Sequence, residues 1–240
     1  MKTKYMIIYE DLRQKIADGT YEGGDQLPDE KSLCEIYDCS RMTVKKALDM
    51  LVEEGLIYRR QGQGSFVLGQ IQPSDTIEIA ERDLSGFTKS LKGKAGHVTT
   101  KILHFGLIFA TKDIAEKLDL NVNDPVYDIL RVRNYDGKPY VIDHTYMPPN
   151  VIPGITEDIL NHSVYAYIEN DLGKRIASAH KISWADCSNQ QDQEELGLKP
   201  TEPVLVVQQV AYLDNGVPFE YSLSRHRYDK FRFSLYSIRR

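Results

Sequence analysis

The stretch Ser40-Arg41-Met42-Thr43-Val44-Lys45-Lys46-Ala47-Leu48-Asp49-Met50-Leu51 constrains this 240-residue chain more than any other. Ser40 is placed to cap a helix, with Thr43 three residues on. Val44, Leu48 and Leu51 fall on one helical face with Ala47 beside them, while Arg41, Met42, Lys45 and Asp49 fall on others. Such a helix packs by one side and offers Arg and Lys from its N-terminal end. That is the layout of a helix entering a DNA major groove, and equally of a plain basic surface helix. Its surroundings decide between the two.

Upstream, Tyr5, Ile8, Leu12 and Ile16 repeat at helical spacing, which predicts a first helix over 5–18 ended by Gly19. After a turn at Gly23-Gly24-Asp25, Asp29 reads as the cap of a short second helix with Leu33, Ile36 and Tyr37 as its apolar side. Asp38-Cys39-Ser40 is a turn of the length that joins it to the third helix, and Gly55 stops that helix. Leu56 to Arg60 reads as a strand, Gln61 to Gly64 as a tight turn and Ser65 to Leu68 as the return strand. Three helices followed by a hairpin spell a winged helix-turn-helix. Glycine at the wing tip lets backbone approach a sugar-phosphate wall. The formal net charge of −5 argues against a nucleic-acid binder only in bulk. Bases concentrate at Arg41 to Lys46 and at Arg59-Arg60, and charges beyond about 10 Å are screened from one another.

Taken in order, Leu27-Pro28-Asp29-Glu30-Lys31, Ser40 to Leu48, Glu54-Gly55-Leu56-Ile57 and Gly62-Gln63-Gly64-Ser65-Phe66-Val67 resemble the DNA-binding domain of GntR-family bacterial regulators. The resemblance implies contacts to double-stranded DNA from Lys31, from Ser40, Arg41, Thr43, Lys45 and Lys46 at the start of the third helix, and from Gly62, Gln63 and Gly64 in the wing. Lys31 and Lys45 stand where the family usually carries Arg. A lysine is a point charge and makes no bidentate fork to guanine. Arg41 is therefore the leading base reader, and the two lysines suit phosphates.

Residues 70–76 are polar with one proline and read as a linker between a reader over 1–69 and a second domain over 77–240. The second domain reads as α+β, with strands at Val98–Phe105, Val126–Asn134, Tyr140–Tyr146, Lys181–Cys187, Val204–Leu213 and Pro218–Tyr228. Short helices are expected at Ala110–Leu118, Ile155–Leu160, Val164–Leu172 and Asp192–Leu196, with hairpin turns at Asp136-Gly137 and Asn215-Gly216.

Arg131 and Arg133 sit two apart on a strand, so they share a face. Side by side they repel unless an anion lies between them, and a phosphate monoester suits such a pair. The alternative is that each pairs with an Asp or Glu on a solvated sheet face. Ser163 and Tyr165 open a helix beside a turn, where a hydroxyl and backbone N–H groups favour anions, or where they simply cap and pack. Asp143 and Glu220 are candidate acceptors for ligand hydroxyls, or balancing charges for the two arginines.

The run from Leu130-Arg131-Val132-Arg133 through Asp143-His144-Thr145-Tyr146 and Ser163-Val164-Tyr165 to Phe219-Glu220-Tyr221-Ser222 and Arg227-Tyr228-Asp229 resembles the UTRA effector domain. That domain has a chorismate-lyase-like antiparallel-sheet fold and follows the reader in the HutC-type branch. The ending Ser224 to Phe233 is most similar to trehalose-operon repressors. The resemblance adds Phe87 and Thr88 as main-chain phosphate contacts and His226, where the family often has Tyr, as a group closing over the ligand.

Together these imply a homodimeric repressor on a pseudo-palindromic operator, released by a phosphorylated sugar. Trehalose 6-phosphate leads, ahead of a 6-phospho-β-glucoside or an amino-sugar phosphate. A chorismate-lyase-like enzyme fused to a reader, and an effector-free dimer module, are the alternatives. No nucleophile–base pair, metal-ligand spacing or nucleotide loop accompanies the carboxylates, so neither catalysis nor a cofactor is expected. The histidines are scattered and Trp184 reads as core. Cys34, Cys39 and Cys187 read as reduced thiols of a cytosolic protein, and no apolar run is long enough for a membrane span.

Overall fold

Two caps set the register of the reader. The Asp29 carboxylate accepts the Ser32 N–H at 2.7 Å and the Ser40 hydroxyl accepts the Thr43 N–H at 3.3 Å. They open α2 (Glu30–Tyr37) and α3 (Arg41–Glu53), which follow α1 (Lys4–Ala17). The computed structural model describes residues 3–68, 77–80, 84, 86–91 and 96–234. It divides into two compact units, Met1–Ser74 with Phe233–Arg240, and Asp75–Arg232. The expected linker over 70–76 lies outside the described residues.

In the first unit Ile8, Leu12 and Ile16 of α1 meet Leu33 of α2 and Val44, Ala47, Leu48 and Leu51 of α3 in one buried core. Hydrogen bonds from Tyr9 to Glu54 and from Tyr37 to Asp11 tie α1 to its neighbours. The chain leaves α2 through Asp38 at φ 47°, a left-handed residue that reverses it into α3. Ile36 departs from expectation: it is 61% exposed. An eight-residue helix presents barely two turns, and Leu33 already fills the stripe facing the core. β1 (Ile57–Arg60) and β2 (Gly64–Val67) form the hairpin, pairing Ile57 with Val67 and Arg60 with Gly64.

The second unit is built on a six-stranded antiparallel sheet. Before it come β3 (Ile77–Ala80) and α4 (Gly86–Ser90). Its elements are β4 (Val98–Phe109), α5 (Lys112–Leu118), β5 (Pro125–Tyr135), β6 (Lys138–Met147), α6 (Glu157–Asn161), α7 (Val164–Ala166), β7 (Ile176–Cys187), α8 (Gln190–Leu196), β8 (Pro203–Leu213) and β9 (Pro218–Arg227). The last described strand is β10 (Phe231–Ser234). Sheet order is β4-β5-β6-β9-β8-β7. Asp136 and Gly137 both take positive φ, 49° and 72°, the pair a tight primed turn between β5 and β6 requires.

One sheet face is covered by α6, α7 and the single π turn Tyr167–Asp171, with Ile129, Met147, Leu160, Val164, Ile168 and Phe219 buried between. The other carries two smaller clusters, Leu196 and Leu198 over Val132, Ile142 and Val206, and Ile114 and Leu118 of α5 over Val126. β4 and β7 run longer than expected: β4 continues through Leu107, Ile108 and Phe109, with Ile108 packed against the α5 cluster, and β7 already begins at Ile176. The expected helix over 164–172 is split by the π turn. Trp184 is not core: it lies on β7 and is 40% exposed. No described helix is long and apolar enough to cross a membrane.

Candidate functional site

In the reader, Lys31, Arg41 and Lys45 are exposed, as is Met42 at 73%. Lys46 turns the other way, its ammonium 3.8 Å from the centroid of the Tyr5 ring. Ser40 and Thr43 share a 2.9 Å hydroxyl contact inside the cap. Arg59 does not project freely. It pairs with Asp49 at 2.7 Å and donates to the Lys45 carbonyl at 3.3 Å, strapping β1 to α3. Arg60 stacks over Tyr58 and Phe66. The wing tip is held by Gln26, whose amide donates to the Gln63 carbonyl at 2.7 Å. Gly64 has φ 110°, and a Cβ there would sit 3.0 Å from that amide nitrogen. Gln26 carries no local sequence signal, because its partner is 37 residues away.

In the second unit, β5 places Arg131 and Arg133 on the face covered by α6 and α7. They are 6% and 4% exposed. Arg131 donates to the Leu160 carbonyl of α6 at 3.1 Å, and Arg133 to the Thr88 hydroxyl at 2.7 Å. The Arg133 guanidinium also lies 5.6 Å from the Phe87 ring centroid. The Nε atoms of both arginines are buried without a hydrogen-bond partner. Among the described residues neither forms an ion pair, so the solvated, carboxylate-paired alternative does not hold. Burial lowers the pKa of Arg131, against the opposing pull of Asp143 and Glu220. Burial and then the neighbouring Arg131 bring Arg133 down to about 10.

Asp143 lies directly across from Arg131 in the β5–β6 ladder and accepts the Ser224 hydroxyl at 2.7 Å. One oxygen of Glu220 accepts from Gln209 at 2.8 Å, Ser222 at 3.0 Å and Tyr165 at 3.3 Å. Burial raises the Glu220 pKa, and burial followed by Glu220 pushes Tyr165 well above its ordinary value. Gln209 and Ser222 complete this network from β8 and β9. Ser222 shares Glu220's face by the two-residue spacing along β9, whereas only strand pairing brings Gln209 there, so no spacing in the chain marks Gln209. His226 is buried, stacks on Phe231 at 3.8 Å and is held neutral, its pKa lowered by burial to about 4. The Ser163 hydroxyl accepts the Ala166 N–H at 3.2 Å and caps α7.

A cavity of about 590 Å³ opens at Arg133, lined also by Thr88, His162 and Ser163 and by two carboxylates, Asp158 and Asp171. Arg131, Asp143, Tyr165, Glu220 and His226 lie outside that lining. Of the expected residues, Thr88, Arg133 and Ser163 line the cavity; Arg131, Glu220 and His226 are buried outside its lining, and Phe87, Asp143 and Tyr165 are half-buried outside it.

A chain with a winged helix-turn-helix in one unit and a six-stranded sheet that buries two arginines in the other has the make-up of a two-part DNA-binding regulator. The profile of bacterial regulatory proteins of the gntR family matches residues 4–67, and that of the UTRA domain matches residues 94–232. The chain belongs to the GntR family of DNA-binding transcriptional regulators, in its UTRA-bearing branch. It is 41% identical to the HTH-type transcriptional regulator GmuR of Bacillus subtilis over 99% of each chain. It is 35% identical to the regulator TreR of the same organism, over 96% of this chain and 95% of the relative. The crystal structure of the possible transcriptional regulator YydK from Bacillus subtilis superposes with a TM-score of 0.81 at 26% identity, covering 99% of this chain and all of that one.

Proposed function

We propose that this protein is a cytoplasmic, homodimeric repressor of a sugar-uptake or sugar-utilisation operon, released from its operator by a phosphorylated sugar. The observation that carries the reading is the pair of buried guanidiniums at 131 and 133, each with an unpartnered Nε and no ion pair among the described residues. Two desolvated like charges are unfavourable alone and become favourable once a dianion accepts their N–H groups. The Thr88 hydroxyl, the Ser163 turn and Phe87 supply the rest of the phosphate end. Asp143, Glu220 and Tyr165, with His226 closing over the ligand, supply acceptors and packing for a sugar.

The route to release runs through Leu160. Its carbonyl occupies Arg131 while the cavity reaches only Arg133. A phosphate bridging both arginines must displace that carbonyl and move α6. An effector that binds only the displaced arrangement shifts the population toward it, and by linkage weakens the DNA-competent state equally. In the reader, Arg41 reads bases in this proposal, while Lys31, Lys45, Ser40, Thr43 and the backbone of Gly62, Gln63 and Gly64 position the phosphates, and Lys46, held over the Tyr5 ring, has no phosphate role.

The test is fluorescence anisotropy on duplexes from the gene's own neighbourhood, with and without trehalose 6-phosphate, 6-phospho-β-glucosides and amino-sugar phosphates. One of these is expected to release the wild type, and Arg131→Ala is expected to bind the operator normally but stay bound. If Arg131→Ala is released at the same ligand concentration, the effector site is elsewhere. If no duplex is bound even in dilute salt, the regulator reading fails.

A further inference from the structure

Two of the three cysteines of the chain fall within the one turn that joins α2 to α3. Two backbone bonds close that turn. The Cys39 N–H donates to the Cys34 carbonyl at 3.1 Å and the Asp38 N–H to the Glu35 carbonyl at 3.4 Å, with Asp38 in the left-handed region. This is a Schellman closure, in which the third residue before the helix cap and the second after it meet side chain to side chain. Those two residues are Cys34 and Cys39. Both are free thiols, both are half-buried, and both pack against the core of the reader. Any two small apolar groups would close such a turn, so a pair of thiols adds chemistry that packing alone does not require. Burial, and then Cys34 beside it, raise the Cys39 pKa, so Cys39 rests as the thiol.

We propose that Cys34 and Cys39 form a reversible disulfide that weakens the reader's hold on DNA when the small thiols around it become oxidised. The step is thiol–disulfide exchange. One protein thiol loses its proton and attacks a small disulfide, whose S–S bond breaks and whose departing half leaves as a thiol. The second protein thiol then attacks the protein sulfur of the mixed disulfide and releases the other half, also as a thiol. The protein pair is oxidised by two hydrogens and the small disulfide is reduced by the same two. The bond closes a loop over residues 34–39 only, so it removes little chain entropy. It also needs Cβ atoms about 3.5–4.5 Å apart, a tighter approach than contact between two separate side chains asks for. Strained disulfides are the readily reduced ones, which makes this one reversible. Drawing Cys39 toward α2 pulls on Ser40, the next residue, whose hydroxyl accepts the Thr43 N–H at 3.3 Å and caps α3. The end of α3 displaced in this way carries Arg41 and Lys45. The inference needs the DNA-binding reader and is independent of any effector.

The experiment uses the full-length protein with Cys187→Ser, which leaves only this pair. It is equilibrated with hydroxyethyl disulfide and mercaptoethanol over a series of ratios. At oxidising ratios the intact mass is expected to fall by two hydrogens, and a non-reducing peptide map is expected to join Cys34 to Cys39. Operator binding by anisotropy should weaken by about tenfold or more over the same ratios, and recover with dithiothreitol. The double variant Cys34→Ala with Cys39→Ala, in the same background, should keep its affinity at every ratio. Chains that stay reduced, or carry only mixed disulfides, at every ratio overturn the site. A joined pair with unchanged operator binding overturns the switch, and so does a loss of binding that the double variant shares.

Discussion

Replacing Arg133 by Met should stabilise the unliganded protein and abolish its response to effector. The fall of the Arg133 pKa from its ordinary value to about 10 corresponds to roughly 3 kcal/mol by which the folded chain disfavours that charge. Losing the 2.7 Å bond to Thr88 returns about 1 kcal/mol. Methionine fills a comparable volume without a charge, so the net gain is about 1–2 kcal/mol, inside the range seen when buried charges give way to apolar groups. For a domain of this size that is a rise in melting temperature of about 2–8 °C. At a hundred times its dissociation constant a sugar phosphate adds about 2.7 kcal/mol to the wild type and nothing to the variant. Differential scanning fluorimetry should therefore rank the variant above the wild type without ligand and below it with ligand. A variant that melts lower than the wild type when both are unliganded, or that gains as much as the wild type from ligand, would refute the reasoning.

Three further outcomes are expected. His226 is held neutral with a pKa of about 4, so between pH 6.5 and 4 the unfolded chain binds the extra proton and stability falls as pH falls, by up to about 3 kcal/mol. Glu220, whose pKa is raised, acts in the opposite direction. The check is therefore the difference between wild type and His226→Phe in urea titrations across that window, where the variant should lose the acid-sensitive slope and an unchanged slope would exclude His226 as its source. Arg41→Ala should lower discrimination between operator and random duplex by about 1–3 kcal/mol, whereas an equal loss on both makes Arg41 a phosphate contact. Gly64→Ala places a side chain at φ 110° and 3.0 Å from the Gln26 amide. It should cost about 1–2 kcal/mol of reader stability and weaken all duplexes alike in anisotropy; intact affinity would mean that the wing makes no close approach.

The reader was legible residue by residue because its determinants are local. Asp29 and Ser40 cap helices whose first turns lie three residues away, and Val44, Leu48 and Leu51 declare the buried face by spacing alone. Legibility failed at Ile36, where a helix of two turns has too few positions for a periodic signal, and at Trp184, where a large apolar residue says nothing about whether its strand is central or at an edge. Arg131 and Arg133 could be placed on one face from their spacing. Whether that face was wet or dry could not be read, since α6 and α7, which cover it, come from about thirty residues downstream.

The sequence by itself determined most of the elements, the caps and turns of the reader, and the family, because hydrophobic period, capping chemistry and glycine placement act over a few residues; the short β3, α4 and β10 left no such signal. Only the tertiary structure decided what those elements bring together. Glu220 meets Gln209 and Tyr165 through strand and helix packing, 11 and 55 residues apart. Arg131 meets a helix carbonyl instead of a carboxylate, and β7 is left as an edge. Burial and long-range pairing set charge, access and partners, and neither is a property of any short stretch of chain.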